Sequence, residues 1–222
     1  MYRELINRTE EYVKAYLSGV ESGHNWWHIY RVRNIALHIF SIEKKGDPFI
    51  IEMGSLLHDI GDYKIKSVGD DHDIRGFLEG LRLKKSQIDK ILYIIDHISF
   101  KRSFGSEYEH MPELDIVQDA DRLDALGAIG IARAFNYGGY RGLEIYKPGI
   151  QPSNYKTSAE YKVSGSSTIN HFYEKLLKLK DMMNTTTGRK LADERHTYME
   201  GFLKQFFMEW NKGISSHGGA DF

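Results

Sequence analysis

Two adjacent polar residues, His58 and Asp59, end an apolar run in the segment "SLLHDIGDYK", residues 55–64. An imidazole nitrogen and a carboxylate oxygen are both common ligands of divalent metals. Such a pair can also mark a helix end that meets water. The choice between a metal site and a helix end depends on whether further ligands lie elsewhere in the chain.

Two more residues complete a candidate ligand set. His28 lies seven residues before Ile35 and 14 before Ile42 on an apolar helix stripe, so its imidazole is expected to be buried and to need a partner. Asp121 lies in "QDADRLDALG", where Asp119 is the competing ligand. Two imidazoles and two carboxylates suit Mn²⁺, Fe²⁺, Co²⁺, Ni²⁺ or Zn²⁺ and leave positions for water and a substrate oxygen.

Helical periodicity must position these side chains, and no strand-like alternation of useful length occurs. The sequence therefore predicts an all-α fold, a single-domain helical bundle over residues 1–213 with a long mid-chain loop at about 136–167 and a flexible tail at 214–222. The expected helices are residues 2–18, the segment "NWWHIYRVRNIALHIFSIEKK", a helix from an Asp47-Pro48 cap towards His58, one opened by a Ser86/Asp89 capping box, a short segment from Pro112, one helix over "ADRLDALGAIGIARAF", and helices at about 168–183 and 186–212.

Composition excludes several function classes. The chain has 222 residues, 41% hydrophobic, and no cysteine, which excludes disulfides, thiolate metal sites and a cysteine nucleophile. With 30 basic and 31 acidic residues the net charge is −1, so no bulk field favours nucleic acid as a partner. No apolar run approaches the roughly 20 residues of a membrane span, and the N-terminus does not resemble a signal peptide. A cytoplasmic protein without membrane or nucleic-acid partners is expected, and a homodimer is left open.

The ordered set of His28, His58-Asp59 and Asp121 resembles the HD-domain superfamily of metal-dependent phosphohydrolases. The segments "WWHIYRVRNIA", "LLHDIGD" and "IVQDADRLDALGAIGIARAF" resemble a stand-alone bacterial and archaeal subgroup of HD hydrolases. The matching segments run from about residue 24 to 137, and the final helices are similar as well.

This resemblance implies an HD-type helical bundle in which His28, His58, Asp59 and Asp121 hold a divalent metal. Mn²⁺ is the favoured ion, with Fe, Co, Ni, Mg and Zn as alternatives. The family's pattern places the last ligand in the "ADRL" part of the segment, so it favours Asp121 over Asp119.

Further residues receive candidate roles. Asp62 stands where related alarmone hydrolases carry a reaction carboxylate, so it is the candidate general acid or base; the alternative is that it orients a ligand histidine. Arg31 shares one side of its helix with His28 and could bind phosphate, or instead pair with Asp59 or Asp124.

Two other side chains complete the candidate substrate site. Lys64 could contact phosphate or could be a solvated lysine. His97 ends an apolar helix and could reach the substrate or a second metal, or could be a helix-end histidine with a local hydrogen bond. His72 is a weaker candidate of the same kind.

The resemblance implies hydrolysis of a small-molecule nucleotide, as a (d)NTP pyrophosphohydrolase or a nucleotide phosphatase that uses a metal-activated water. Two alternatives stay open. HD-fold di-iron oxygenases need extra histidines, and only His72, His97 and His110 lie between the HD pair and Asp121. A non-catalytic nucleotide sensor would use the same helices without chemistry.

Overall fold

The computed structural model describes residues 2–19, 25–60, 73–98, 109–153 and 167–212, and it contains helices and no strand among them. The all-α prediction is confirmed. The helices are α1 (Tyr2–Tyr16), α2 (Trp26–Glu43), α3 (Pro48–Leu57), α4 (Ile74–Gly80), α5 (Lys85–His97), α6 (Pro112–Asp124), α7 (Gly127–Tyr140), α8 (Thr168–Glu174), a 3₁₀ helix (Leu176–Met182) and α9 (Thr186–Trp210).

Helix α3 lies at the centre of the bundle. Every residue from Phe49 to Leu57 is buried, as expected for a helix that is mainly apolar on all sides. Its start follows the prediction, since the Asp47 side chain accepts a hydrogen bond from the Phe49 N–H and Pro48 occupies the first turn. Helices α2 and α6 pack against α3 and against each other. The three helices that carry the candidate ligands therefore form the middle of the fold.

The segment "ADRLDALGAIGIARAF" forms two helices, and its prediction as one helix is wrong. Helix α6 ends at Asp124, the backbone of Leu126 is extended, and α7 starts at Gly127 with a φ of 70°. That left-handed φ suits glycine, and a Cβ at Gly127 would lie 3.1 Å from the Arg195 side chain of α9. The break turns the chain immediately after the last acidic residue of α6.

Several boundaries also differ from the prediction. Helix α7 continues through Tyr140, so the loop expected from about 136 begins later, and the helix expected at 168–183 is interrupted at Lys175, where α gives way to 3₁₀. Helix α5 starts at Lys85, and the Gln87 side chain, not the Ser86/Asp89 pair, caps it by accepting from a backbone N–H at 3.1 Å. The tail at 214–222 and the loop residues 154–166 lie outside the described residues.

The apolar stripe of α2 is shorter than predicted. Ile42 is exposed, because the last turn of α2 extends past the core, whereas Ile29, Val32, Ala36 and Ile39 are buried. His28 is buried at the other end of the helix, as expected.

Candidate metal centre

Four side chains from three helices converge at one end of α3. His28 comes from α2, His58 and Asp59 directly follow α3, and Asp121 comes from α6. The His28 Nε2 and His58 Nε2 atoms are 3.2 Å apart. Asp59 Oδ2 and Asp121 Oδ1 each lie 3.4 Å from His28 Nε2, and the same Asp121 oxygen lies 3.9 Å from His58 Nε2. The structure thus brings together all four residues that the sequence proposed as ligands.

Hydrogen bonds behind the two imidazoles fix which nitrogen faces the cluster. His58 Nδ1 lies 2.8 Å from the Ser55 carbonyl oxygen, which can only accept, so Nδ1 is the donor. His28 Nδ1 lies 2.7 Å from Asp124 Oδ2 and donates to that carboxylate. In the neutral rings both Nε2 lone pairs therefore point into the cluster, towards two carboxylates.

This donor set fits a divalent cation. The ligand atoms of His28, His58 and Asp59 lie within 4.8 Å of one another, and Asp121 adds a fourth donor. Four lone pairs that face one another without an intervening proton repel, and a cation at their centre relieves that repulsion. Two nitrogen and two oxygen donors suit Mn²⁺, Fe²⁺, Co²⁺, Ni²⁺ or Zn²⁺.

The electrostatics favour positive charge at His58 but not at His28. Burial lowers the pKa of His58, but the carboxylates of Asp59 and Asp121 and the Ser55 carbonyl outweigh it, so the pKa is raised. For His28, burial dominates and lowers the pKa although Asp124 opposes it. The carboxylates that attract a proton to His58 would attract a cation equally.

Exposure of the four side chains is graded. His28 and His58 are 1% exposed, Asp59 is 9% exposed and Asp121 is 35% exposed. The centre is therefore closed on the histidine side and open to solvent on the Asp121 side. Among the described residues, the Asp121 edge is therefore the accessible side of the centre.

Asp124 lies behind His28 and is paired with two arginines. Arg31 donates from Nε to Oδ1 at 2.6 Å and from Nη2 to Oδ2 at 3.0 Å, and Arg133 Nη1 donates to Oδ2 at 2.6 Å. Burial would raise the pKa of Asp124, but hydrogen bonds from His28 and Arg31 and the charge of Arg133 hold it well below its usual range. The sequence prediction did not include Arg133. The sequence offered only a basic residue in the helical segment that follows the acidic residues of α6.

Asp119 has a different partner from Asp121. It is fully buried and accepts hydrogen bonds from the Asn184 N–H at 2.8 Å, the Thr185 N–H at 2.8 Å and the Thr185 hydroxyl at 2.7 Å. Burial raises the pKa of Asp119 despite these bonds. The carboxylate anchors the start of α9, so the structure places Asp121, not Asp119, with the histidines.

The remaining candidates contact other groups or fall outside the described residues. His97 ends α5 and donates from Nδ1 to the Tyr93 carbonyl at 2.8 Å, while its ring stacks on that of Tyr93. Arg31 pairs with Asp124, one of the two partners considered for it. Asp62, Lys64 and His72 fall outside the described residues. Substrate and proton-transfer roles for these residues stay predictions.

Comparison with known proteins decides the family. A family model for the HD domain matches residues 26–126, and YpgQ of Bacillus subtilis is 40% identical over 200 residues, which span 87% of this chain and 88% of YpgQ. The chain belongs to the HD-domain superfamily.

Several solved structures share the architecture of this chain. A protein from Lactobacillus plantarum is similar with a TM-score of 0.82 at 37% identity, over 93% of this chain and 96% of that protein. An HD-superfamily hydrolase from Bacillus thuringiensis has a TM-score of 0.74 at 41% identity, over 96% and 100% of the two chains. YpgQ has also been solved in complex with ADP. In the structural comparison with that complex, which covers 95% of this chain and 100% of YpgQ, the TM-score is 0.74 and the sequence identity is 33%.

Among the described residues of this HD-domain protein, no helix is both long enough and apolar enough to cross a bilayer.

Proposed function

We propose that this HD-domain protein is a divalent-metal-dependent phosphohydrolase that acts on nucleotides, as a (d)NTP pyrophosphohydrolase or a nucleotide phosphatase. The observation that carries the proposal is the convergence of four donors, with both Nε2 atoms directed inward and 3.2 Å apart. The solved complex of YpgQ with ADP supports a nucleotide as the substrate class.

His28, His58, Asp59 and Asp121 would hold the cation, with Mn²⁺ as the favoured ion. When bound, the cation supplies Lewis-acid chemistry, which activates a water molecule and polarises a phosphate oxygen. The buried histidine side excludes water, whereas the exposed edge of Asp121 leaves room for the phosphate chain and the attacking water.

Charge around the centre suits an anionic substrate. Arg31 and Arg133 bring two positive charges to the three carboxylates of Asp59, Asp121 and Asp124, so the group carries −1 without a cation and +1 with a divalent one. The Arg31 side chain is 31% exposed, so part of the guanidinium remains accessible to a phosphate group. Lys64 and His97 are proposed to add contacts to phosphate, and Asp62 to transfer the proton of the attacking water.

A nucleotide panel tests the proposal. Nucleoside mono-, di- and triphosphates would be incubated with Mn²⁺, Co²⁺, Ni²⁺ or Mg²⁺, and phosphate, pyrophosphate and nucleotide products would be separated. We expect metal-dependent release of phosphate or pyrophosphate by the natural chain and none by His58→Ala. His110→Ala is the matched control, because His110 is an exposed histidine that pairs with Asp115 at 2.8 Å.

Two outcomes would contradict the proposal. Absence of product across the panel with every metal would favour a nucleotide sensor, provided that nucleotide still bound. Two irons per chain together with oxygen consumption would favour the di-iron oxygenases of the same fold.

A further inference from the structure

Asp124 makes an unusual number of contacts for a buried carboxylate that does not face the candidate metal centre. Its side chain is 1% exposed. Oδ2 lies within hydrogen-bond distance of three donors, His28 Nδ1 at 2.7 Å, Arg31 Nη2 at 3.0 Å and Arg133 Nη1 at 2.6 Å, and Oδ1 accepts from Arg31 Nε at 2.6 Å. Three hydrogen-bond donors therefore meet at Oδ2 and one at Oδ1, so both carboxylate oxygens are held.

These hydrogen bonds fix the orientation of the carboxylate and the tautomer of His28. The two arginines cannot lose their protons in a protein, so both always donate to Asp124. An ionised carboxylate can only accept, so His28 must donate from Nδ1, and its Nε2 keeps a lone pair that faces His58, Asp59 and Asp121.

The two imidazoles of the centre are therefore held by different kinds of hydrogen-bond acceptor. A backbone carbonyl, that of Ser55, holds His58, and no side-chain substitution removes it. A side-chain carboxylate holds His28, and that carboxylate is held in turn by one arginine from α2 and one from α7.

We propose that Asp124 is a positioning residue: clamped by Arg31 and Arg133, it keeps His28 in the Nδ1–H form and so presents Nε2 as a donor to the cation. This inference rests on the metal centre of the proposed function but not on its substrate. It also assigns a purpose to Arg133 of α7, because its guanidinium donates to Asp124.

Asp124→Ala tests the inference, because an asparagine would turn its amide oxygen to the Oδ2 position, where three donors meet, and would keep the bond to His28. Alanine removes both carboxylate oxygens, so His28 Nδ1 loses its acceptor and the ring can adopt the Nε2–H tautomer, which blocks the lone pair that the cation needs. We expect Mn²⁺ and Co²⁺ to bind roughly 10–100-fold more weakly, the usual cost of losing a group that orients a ligand histidine. We also expect the imidazole ¹⁵N shifts of His28 in metal-free protein to move from the Nδ1–H towards the Nε2–H pattern.

Asp119→Ala is the matched control, because it removes another buried carboxylate of α6 that contacts the start of α9. It should leave the His28 tautomer and metal affinity unchanged. If Asp124→Ala does not fold, Arg133→Gln removes one clamp and leaves the Asp124–His28 bond in place, and it should weaken metal binding to a smaller extent with the same direction of ¹⁵N shift.

The possible failures are distinguishable. If Asp124→Ala kept the Nδ1–H pattern and bound Mn²⁺ within twofold of the natural chain, the positioning role would be overturned while the metal centre stood. If the natural chain itself bound none of Mn²⁺, Co²⁺, Ni²⁺ and Mg²⁺, the proposed function would fail, whatever the state of His28.

Discussion

At the scale of single residues, three aspartates on one helix have three different surroundings. Asp121 faces the two histidines, Asp124 lies behind one of them, and Asp119 binds the start of α9. They occur within six residues of α6, so their sequence neighbourhood hardly distinguishes them. Their surroundings differ because a helix rotates successive side chains by about 100°.

Substitution of two of these aspartates should separate metal binding from stability. Asp121→Asn should weaken metal binding by more than the roughly 10–100-fold expected for a supporting residue. Removal of one of several clustered carboxylates should leave the melting temperature of metal-free protein unchanged or raise it. Metal content after dialysis and thermal unfolding measure both effects.

Asp119→Asn should show the opposite pattern. It weakens three hydrogen bonds to a buried carboxylate, which costs about 1–3 kcal/mol of unfolding free energy. For a chain of this size, each kcal/mol lowers the melting temperature by roughly 2–4 °C. If Asp119→Asn abolished metal binding and Asp121→Asn did not, the assignment of the last ligand would be reversed.

The sequence could identify the four converging residues but not everything that supports them. The sequence displays the types and the order of the four candidate ligands, His28, His58, Asp59 and Asp121. The family pattern selected Asp121 over Asp119 as the last ligand. Arg133 could not be found, because its contact with Asp124 depends on the turn between α6 and α7, which the sequence suggested as a continuous helix.

At the scale of elements, the start of α9 is held by carboxylates from two other helices. Asp119 of α6 binds the Asn184 and Thr185 N–H groups, and Glu43 of α2 accepts from the N–H and the hydroxyl of Thr187, each at 2.8 Å. The first N–H groups of a helix lack intrahelical partners and favour negative charge. The long helix α9 is thus anchored to α2 and α6, both of which carry metal-ligand candidates.

Glycine substitutions within α9 test this anchor. A Cβ at Gly188 would lie 2.3 Å from Asp119 Oδ2 and 2.8 Å from the Thr185 hydroxyl. Gly188→Ala should therefore destabilise the protein by about 1–3 kcal/mol, a typical cost of overpacking. Chemical denaturation measures the change in unfolding free energy.

Gly201→Ala is the control in the same helix. A Cβ at Gly201 would meet nothing within 4 Å, so alanine should stabilise the helix by roughly 0.5–1 kcal/mol. Equal effects of the two substitutions would show that helix propensity, and not contact with Asp119, dominates at Gly188.

Element types were easier to predict than element ends. Helix α3 and its Asp47-Pro48 cap followed from local chemistry that the sequence displays. The end of α6 did not, because Ala125 and Leu126 are good helix formers. The chain turns there through Gly127, where the Arg195 side chain of α9, almost 70 residues later, occupies the space beside its backbone.

At the scale of the whole molecule, the candidate centre joins the three helices of the core. A bound cation would connect α2, the end of α3 and α6, which already pack on one another. An unfolded chain cannot place these donors together, so a cation binds the folded state selectively and stabilises it.

Metal should therefore raise the melting temperature. At a concentration of 100 times Kd the stabilisation is about 2.7 kcal/mol, or roughly 5–10 °C for a chain of this size. A chelator should reverse the shift, His58→Ala should abolish it, and His110→Ala should retain it. A natural chain that showed no shift with any of Mn²⁺, Co²⁺, Ni²⁺ and Mg²⁺ would contradict the metal centre.

The separation along the chain between the candidate metal ligands and Asp124 also sets an order of events during synthesis. His28 is 30 residues from His58 and 96 from Asp124. A nascent chain that has emerged only as far as α5 carries three of the four donors but lacks both Asp121 and the carboxylate that orients His28. Stable loading of the cation must therefore wait until α6 has left the ribosome and docked on α2 and α3.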